Sequence, residues 1–548
     1  IAIGHQALGA LTSGAGNIAV GYEALTTATT EINNTVIGYQ AGKSIRHDAS
    51  DSNVIMGYQA SVGGTGSRVQ SVAIGYRSWG NGGSSNDVGG SENIFIGAES
   101  GGGTWATGAS DGNTAVGWNT MKGAMNGAAL NVAVGKNALL VLTTGDSNTS
   151  IGSNSGYTLS TGIRNTFIGN SAGYATVDVD NAVFIGYNAG SGADITDAAD
   201  GTIGIGTSAL AALTSGARNV AVGYQALTAE VAGNESTAVG YQALLSQTGT
   251  SGEVQNTAVG RYAGQSLTTG THSTVVGAYA LYTEDVGQGT TAIGRAALYS
   301  QNTASLGHTG NSALGYKSGY FNATGTNNTY LGYSAGLGAS GQSNSGNTGV
   351  GKDALLSVTD GGGNTAVGWL ALDALTDGSN NVAMGYHALS TAASPTNTVA
   401  IGMDAIGDGN LSAAGTVAVG KEAGKKLSSS LGSIAIGYQA MLTHTTGANN
   451  MAIGYGAMND TDGTDITSGS ASTVLGSNNN IFIGFDSGGG NWCNGSAAAA
   501  SNYNVGVGNY VMDDAMDGAL ANTGVGHEAL GSLTEGASNT AIGKDAGE

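Results

Sequence analysis

Apolar and small residues recur in short alternating bursts along the whole chain. In Asn219-Val220-Ala221-Val222-Gly223-Tyr224 the β-branched residues favour extended backbone. Alternation sets Val220, Val222 and Tyr224 on one face, with Ala221 and Gly223 on the other. Both faces are apolar or small, and a strand of that kind is normally covered on both sides. The remainder of its own coil supplies one cover. A neighbouring chain supplies the other, because an Ala/Gly face lets backbones approach closely, so the pattern predicts a homo-oligomer.

Each burst ends at a glycine, and these glycines keep a short period. Gly4, Gly21 and Gly38 are 17 residues apart, as are Gly152, Gly169 and Gly186, and Gly368, Gly385 and Gly402. The series closes with Gly454, Gly476, Gly484, Gly508, Gly526 and Gly543. A short period held over 548 residues marks a stack of units that touch only their neighbours. The predicted fold is therefore mainly β: an elongated β-solenoid, a parallel β-roll of roughly 17-residue coils. It is predicted to run as one continuous array over 1–548, as a rod on the order of 150 Å at a rise of about 4.8 Å per coil. The chain opens and stops inside repeats, at Ile1 and at Glu548, which reads as a segment of a longer polypeptide.

The second half of a coil has two readings. Residues 209–216, Ala-Leu-Ala-Ala-Leu-Thr-Ser-Gly, place Leu at i and i+3 and Gly where a helix would stop, which suits one short helical turn. A second short strand ending in a Thr-Ser-Gly turn suits them equally, since periodicity does not arbitrate over so few residues. The asparagine before each strand (among them Asn17, Asn34, Asn148, Asn165, Asn219, Asn256, Asn364 and Asn539) is expected to stack as a ladder. Its side chain would satisfy turn backbone groups in successive coils.

Composition narrows the function. There are 98 glycines and a single proline without a three-residue period, which excludes collagen. With 40% apolar and only 10% charged residues, the chain is not a charge-rich disordered one. Net charge is −21, from 16 basic and 37 acidic residues with no basic cluster, which argues against nucleic acid and against an anionic membrane surface. No stretch approaches the roughly 20 apolar residues of a membrane-spanning helix, so no membrane insertion is expected. Cys493 stands alone and rules out an intrachain disulfide framework.

Strings such as Ser71-Val72-Ala73-Ile74-Gly75 and Ser433-Ile434-Ala435-Ile436-Gly437 resemble the head repeats of trimeric autotransporter adhesins. The longer Asn-Thr-Ala-Val-Gly-Tyr-Gln-Ala-Leu form is similar to repeats in phage tail-fibre proteins. The resemblance covers nearly the whole chain. It implies a homotrimeric parallel β-roll that displays binding surfaces away from a bacterial cell or a virion.

Longer intervals mark loops that leave the stack, near 76–116 and 455–507, and loops on a rigid scaffold are where binding usually lives. Two of them are related. Asn93-Ile94-Phe95-Ile96-Gly97 leads to Gly101-Gly102-Gly103-Thr104-Trp105, and Asn480-Ile481-Phe482-Ile483-Gly484 leads to Gly488-Gly489-Gly490-Asn491-Trp492. Trp105 and Trp492 are glycan-contact candidates, because a flat aromatic face stacks on a sugar ring. The alternative is that both fold back onto an apolar edge.

Other motifs are weaker. Gly346–Lys352 and Gly415–Lys421 mimic a phosphate-binding loop, but Asp353 and Glu422 stand where Ser or Thr would hold magnesium. Asp460, Asp462 and Asp465 form a calcium-like cluster that lacks the Glu expected at the twelfth position, where Ala471 stands. They remain weak metal candidates, and an exposed Asp-Gly turn explains them as well. The groups Asp194, Asp197, Asp200 and Asp513, Asp514, Asp517 are weaker still. A tyrosine column (Tyr22, Tyr39, Tyr58, Tyr76, Tyr224, Tyr241, Tyr386, Tyr438, Tyr455) reads as a half-exposed stacked ladder, with Trp118, Trp369, His5, His387 and His527 in or beside it. The seven histidines show no metal spacing, and no catalytic residue or cofactor is nominated.

The sequence thus predicts a non-enzymatic structural and adhesive fibre, extracellular, on a phage tail or a bacterial surface. Its expected partners are itself, as a trimer, and a cell-surface receptor or glycan. Two other readings stay open: a glycan-cleaving fibre (depolymerase) with two carboxylates in a groove between chains, and an extracellular filament whose exposed strand edges stack end to end.

Overall fold

The structure, a computed structural model, describes all residues except 46–49, 64–65, 81–88, 106–107, 250–251, 304–306, 413, 462–475 and 493–498. Cys493, Asp462 and Asp465 lie outside the described residues. Two compact units emerge, Ile1–Ser273 and Thr274–Glu548, and each is a parallel β-solenoid.

In the first unit, three-residue strands such as Ile18–Val20, Thr114–Val116 and Val220–Val222 each pair in parallel with the next along the chain. Val220 faces Thr237, Ala221 faces Ala238 and Val222 faces Val239, so the register repeats the 17-residue period. The second unit does the same from Thr274–Val276 to Thr540–Ile542, with Thr348 opposite Thr365 and Val382 opposite Val399. Among the described residues the one helical element is the three-residue 3₁₀ turn Asp197–Ala199. No helix among them is long and apolar enough to cross a membrane.

The anchor glycine is set by the close approach of its neighbour. Gly223 sits at φ 140°, and a Cβ there would lie 2.3 Å from the carbonyl oxygen of Gly240 in the next coil. One anchor is misplaced by sequence. Gly454 stacks directly on Gly484, its would-be Cβ 2.1 Å from that carbonyl oxygen, and strand Met451–Ile453 pairs with Ile481–Ile483. Gly476 therefore lies in the excursion between them and is not an anchor.

The corner after the glycine is neither the helical turn nor the strand expected for 209–216. Leu210 is left-handed (φ 55°), and its N–H donates to Ala226 O of the next coil at 3.1 Å. Ala212 N–H reaches Thr228 O at 3.0 Å and Thr214 N–H reaches Val231 O at 2.9 Å. Neighbouring coils thus take the donors that a helix would spend on itself. Gln225 and Leu227 occupy the same left-handed positions in the next coil (φ 53° and 49°). Each such residue costs about 1–2 kcal/mol, and the inter-coil bonds and the buried Leu offset that cost.

The asparagine ladder forms as expected. Asn148 N–H donates to Asn131 Oδ1 and Asn165 N–H to Asn148 Oδ1, both at 2.9 Å, while each Nδ2 reaches a turn carbonyl, Gly162 and Val179 respectively. These buried amides leave few unpaired polar groups in a thin interior. In the second unit Asn364 and Asn381 repeat the arrangement.

One expectation about faces is reversed. Ala221 and its equivalents Ala133, Ala366 and Ala418 are fully buried against their own coil, next to the corner pair Ala226 and Leu227. The small-residue face is therefore closed to a sister chain, because the middle strand residue packs inside its own coil; where the corner carries glycine the position takes a ring, as at Phe95 over Gly101, Phe184 over Gly190 and Tyr330 over Gly336. The outward face is the β-branched one, with strand patterns such as Thr35–Ile37 and Val382–Met384 buried only at the middle residue.

Candidate functional site

The outward face of each unit's main sheet is a ribbon two side chains wide. In the first unit it carries pairs such as Val132 with Val134, Thr149 with Ile151 and Val183 with Ile185. In the second unit Thr274, Thr291, Ser312, Thr329, Thr348 and Thr365 follow one another in register, beside a column of aliphatics from Val276 to Val367. No charged residue stands at either outward position of the described main-sheet strands.

Next to this ribbon runs the column that follows the anchor glycine. Tyr22, Tyr39, Tyr58 and Tyr76 stack at centroid distances of 5.2–5.6 Å with interplanar angles of 7–10°. A ladder this parallel spends its ring faces on itself and shows water only edges and hydroxyls, as packing requires. Where the column breaks, cations take ring faces: Lys136 lies 4.7 Å from the Trp118 centroid, Lys352 5.1 Å from Trp369 and Lys421 5.5 Å from Tyr438. The two phosphate-loop mimics are thereby accounted for as repeat anchors with a lysine in the tyrosine column.

Trp105 and Trp492 are corrected as glycan contacts. Each is 1% exposed and offers no face to a sugar. Trp105 packs edge-on to Phe95 with centroids 5.7 Å apart and also meets Trp79 at 5.5 Å; Trp492 packs on Phe482 at 5.6 Å. The glycine run lets the chain fold back: a Cβ at Gly101 would strike the Phe95 ring at 2.7 Å. The Trp105 Nε1–H donates to Gly101 O at 3.2 Å.

Of the calcium-like cluster only Asp460 is described. It accepts a 3.5 Å bond from the Thr443 hydroxyl, and its carbonyl accepts Trp492 N–H at 3.2 Å, so it serves the turn. A trio that sequence reading missed is His527, Glu528 and Asp545, whose ligand atoms lie within 4.8 Å of one another. The signal was present in the repeat, since 528 and 545 are one coil apart. Next to it Asp513 is pushed above the usual carboxylate range by burial, and further by Asp514, Glu528 and Asp486. Burial likewise raises Asp486.

A groove of about 470 Å³ is lined among the described residues by Gln59, Val62, Arg77, Gly80, Glu99, Gly102 and Lys122. Arg77 Nε donates to Gln59 Oε1 at 3.2 Å, and Gln59 Nε2 donates to Gln40 Oε1 at 2.9 Å. Lys122 forms an ion pair with Glu99. The Arg77 guanidinium sits 5.3 Å from the Tyr76 centroid, and no ion pair to a carboxylate forms at Arg77 among the described residues.

The architecture defines a repeat protein of parallel β-solenoid class. In comparisons with known proteins, no protein-family model matches the chain and no curated protein matches it.

Proposed function

We propose that the chain is a non-enzymatic structural and adhesive fibre in which copies pack through their β-branched ribbons. The observation that carries this is the ribbon itself. Fifteen or so coils at a rise of about 4.8 Å, two side chains wide, present on the order of 700 Å² per unit. Monomers seldom leave a contiguous apolar patch above about 300–600 Å², whereas a stable interface takes about 800 Å² from each partner. Three copies around one axis is the arrangement that the resemblance to trimeric adhesin heads and phage tail-fibre repeats implies. The same resemblance supports an extracellular place, on a virion tail or a bacterial surface, with the outward columns left to meet a receptor or glycan.

Light scattering coupled to size exclusion tests the assembly. The expected mass is about three times 53.5 kDa. Replacing Ile168 and Ile185, which face outward on adjacent coils, by lysine is expected to give folded monomers. A monomeric native chain at micromolar concentration overturns the reading.

A further inference from the structure

The geometry points to a binding site for a carboxylate-bearing sugar at the groove of Arg77, Glu99 and Lys122, with Trp118 as its stacking face. This rests on the adhesive reading above and names the ligand class and the place.

The argument begins with a break in the column. Tyr76 and Trp118 occupy the same column two coils apart, and Ala98 stands between them. A methyl group cannot fill the space that a tyrosine ring fills elsewhere, so about 10 Å, two coil rises, separates two aromatic side chains. Tyr58 stacks on one face of Tyr76 and the Arg77 guanidinium lies 5.3 Å from its centroid, so the open space of this gap is on the Trp118 side. Trp118 is 49% exposed, and Lys136 covers one of its faces. Its other face looks onto Ala98. Tyr76 has both Tyr58 and the Arg77 guanidinium against its ring, so Trp118 is the surface open to stacking.

Polar chemistry lies directly beside this slot. Arg77 is held by its Nε bond to Gln59 and by the Tyr76 ring, which leaves its two terminal nitrogens as a planar fork. Such a fork matches a carboxylate in two parallel hydrogen bonds. Glu99 and Lys122 pair across neighbouring coils and present an acceptor and a donor to hydroxyl groups. Val62, Gly80 and Gly102 complete the lining among the described residues. Among the described residues the groove carries two cations and one acid on a chain of net charge −21, so it favours an acidic ligand.

The test is calorimetric titration of the full chain with an oligoglucuronate and, separately, with a neutral oligoglucoside of equal length. The acidic oligomer is expected to bind at least tenfold tighter. Arg77→Gln should abolish that preference. Arg77→Lys, which keeps the charge without the fork, should recover only part of it, and Trp118→Ala should weaken both ligands about tenfold. Circular dichroism on each variant confirms the fold. Acidic binding that none of these substitutions moves overturns the site while leaving the adhesive reading intact. A correctly assembled chain that binds neither oligomer overturns the site as well, and a screen of other glycans then decides the adhesive reading separately.

Discussion

Residues 76–122 and 455–513 start from the same local plan and finish with opposite surfaces. Both set Tyr beyond an anchor glycine, then an Ile-Phe-Ile strand, a triple glycine and a tryptophan that folds onto the phenylalanine. Beneath the surface the Phe–Trp pair is shared, although Trp79 of the first stretch gives way to Met458 in the second. On the surface the coil register puts Gly456 where the first stretch has Arg77, Asp486 where it has Glu99, and Asp513 where it has Lys122. The shared residues are those that stacking constrains. The divergent ones point outward, where a substitution costs the fold little and changes what the surface attracts.

The strongest way to break this comparison is at the frame. Gly97→Ala and Gly484→Ala would each drive a Cβ to 2.2 and 2.1 Å from the carbonyl oxygens of Gly117 and Gly508. Neither coil can move without displacing its own ladder. Each substitution is expected to cost about 3 kcal/mol or more, seen as a lower thermal midpoint. If one site tolerates alanine, the two stretches do not share a frame.

Truncating the tryptophans comes next and sharpens the contrast. Trp105→Ala and Trp492→Ala should each cost about 3–5 kcal/mol, as for other buried aromatics. Replacement by phenylalanine separates them. Trp105 gives up its bond to Gly101 O, whereas Trp492 Nε1 is buried without a hydrogen-bond partner among the described residues. Trp105→Phe is therefore expected to cost about 1 kcal/mol more than Trp492→Phe, measured by urea unfolding.

These cases show how much was readable beforehand. The 17-residue register, the asparagine ladder and the tyrosine column followed from spacing alone, because each is a one-dimensional repeat. The anchor at Gly476 failed because Val474-Leu475-Gly476 imitates the core inside a long excursion. The direction of the faces failed for a different reason. Alternation says which residues share a side but not which side is inside, and only the folded coil, which seats the middle strand residue against its own corner, assigns that side inward. Left-handed Gln and Leu at the corner carry no composition signal, since neither residue prefers that conformation. The groove was hidden too, because Arg77, Glu99 and Lys122 are far apart in sequence and meet only through unequal coil lengths of 22 and 20 residues.

The smallest expected effect lies in the charges. Burial, together with Asp514, Glu528 and Asp486, raises Asp513, so the folded state holds its proton more tightly than the unfolded chain. Stability then falls as pH rises from the ordinary value of 3.8 through the raised one, and it is regained on acidification across the same window. Asp513→Asn removes the charge that desolvation and its neighbours oppose. It is expected to stabilise the chain at neutral pH by a few tenths of a kcal/mol, since much of the group remains in contact with water. The gain should vanish near pH 3, where the native carboxyl is already protonated. Thermal midpoints of the two proteins at pH 7 and pH 3 measure this directly. An equal gain at both values would mean that the aspartate acts through packing, and the acidity of this stretch would then have no energetic consequence to set against the basic groove of the first.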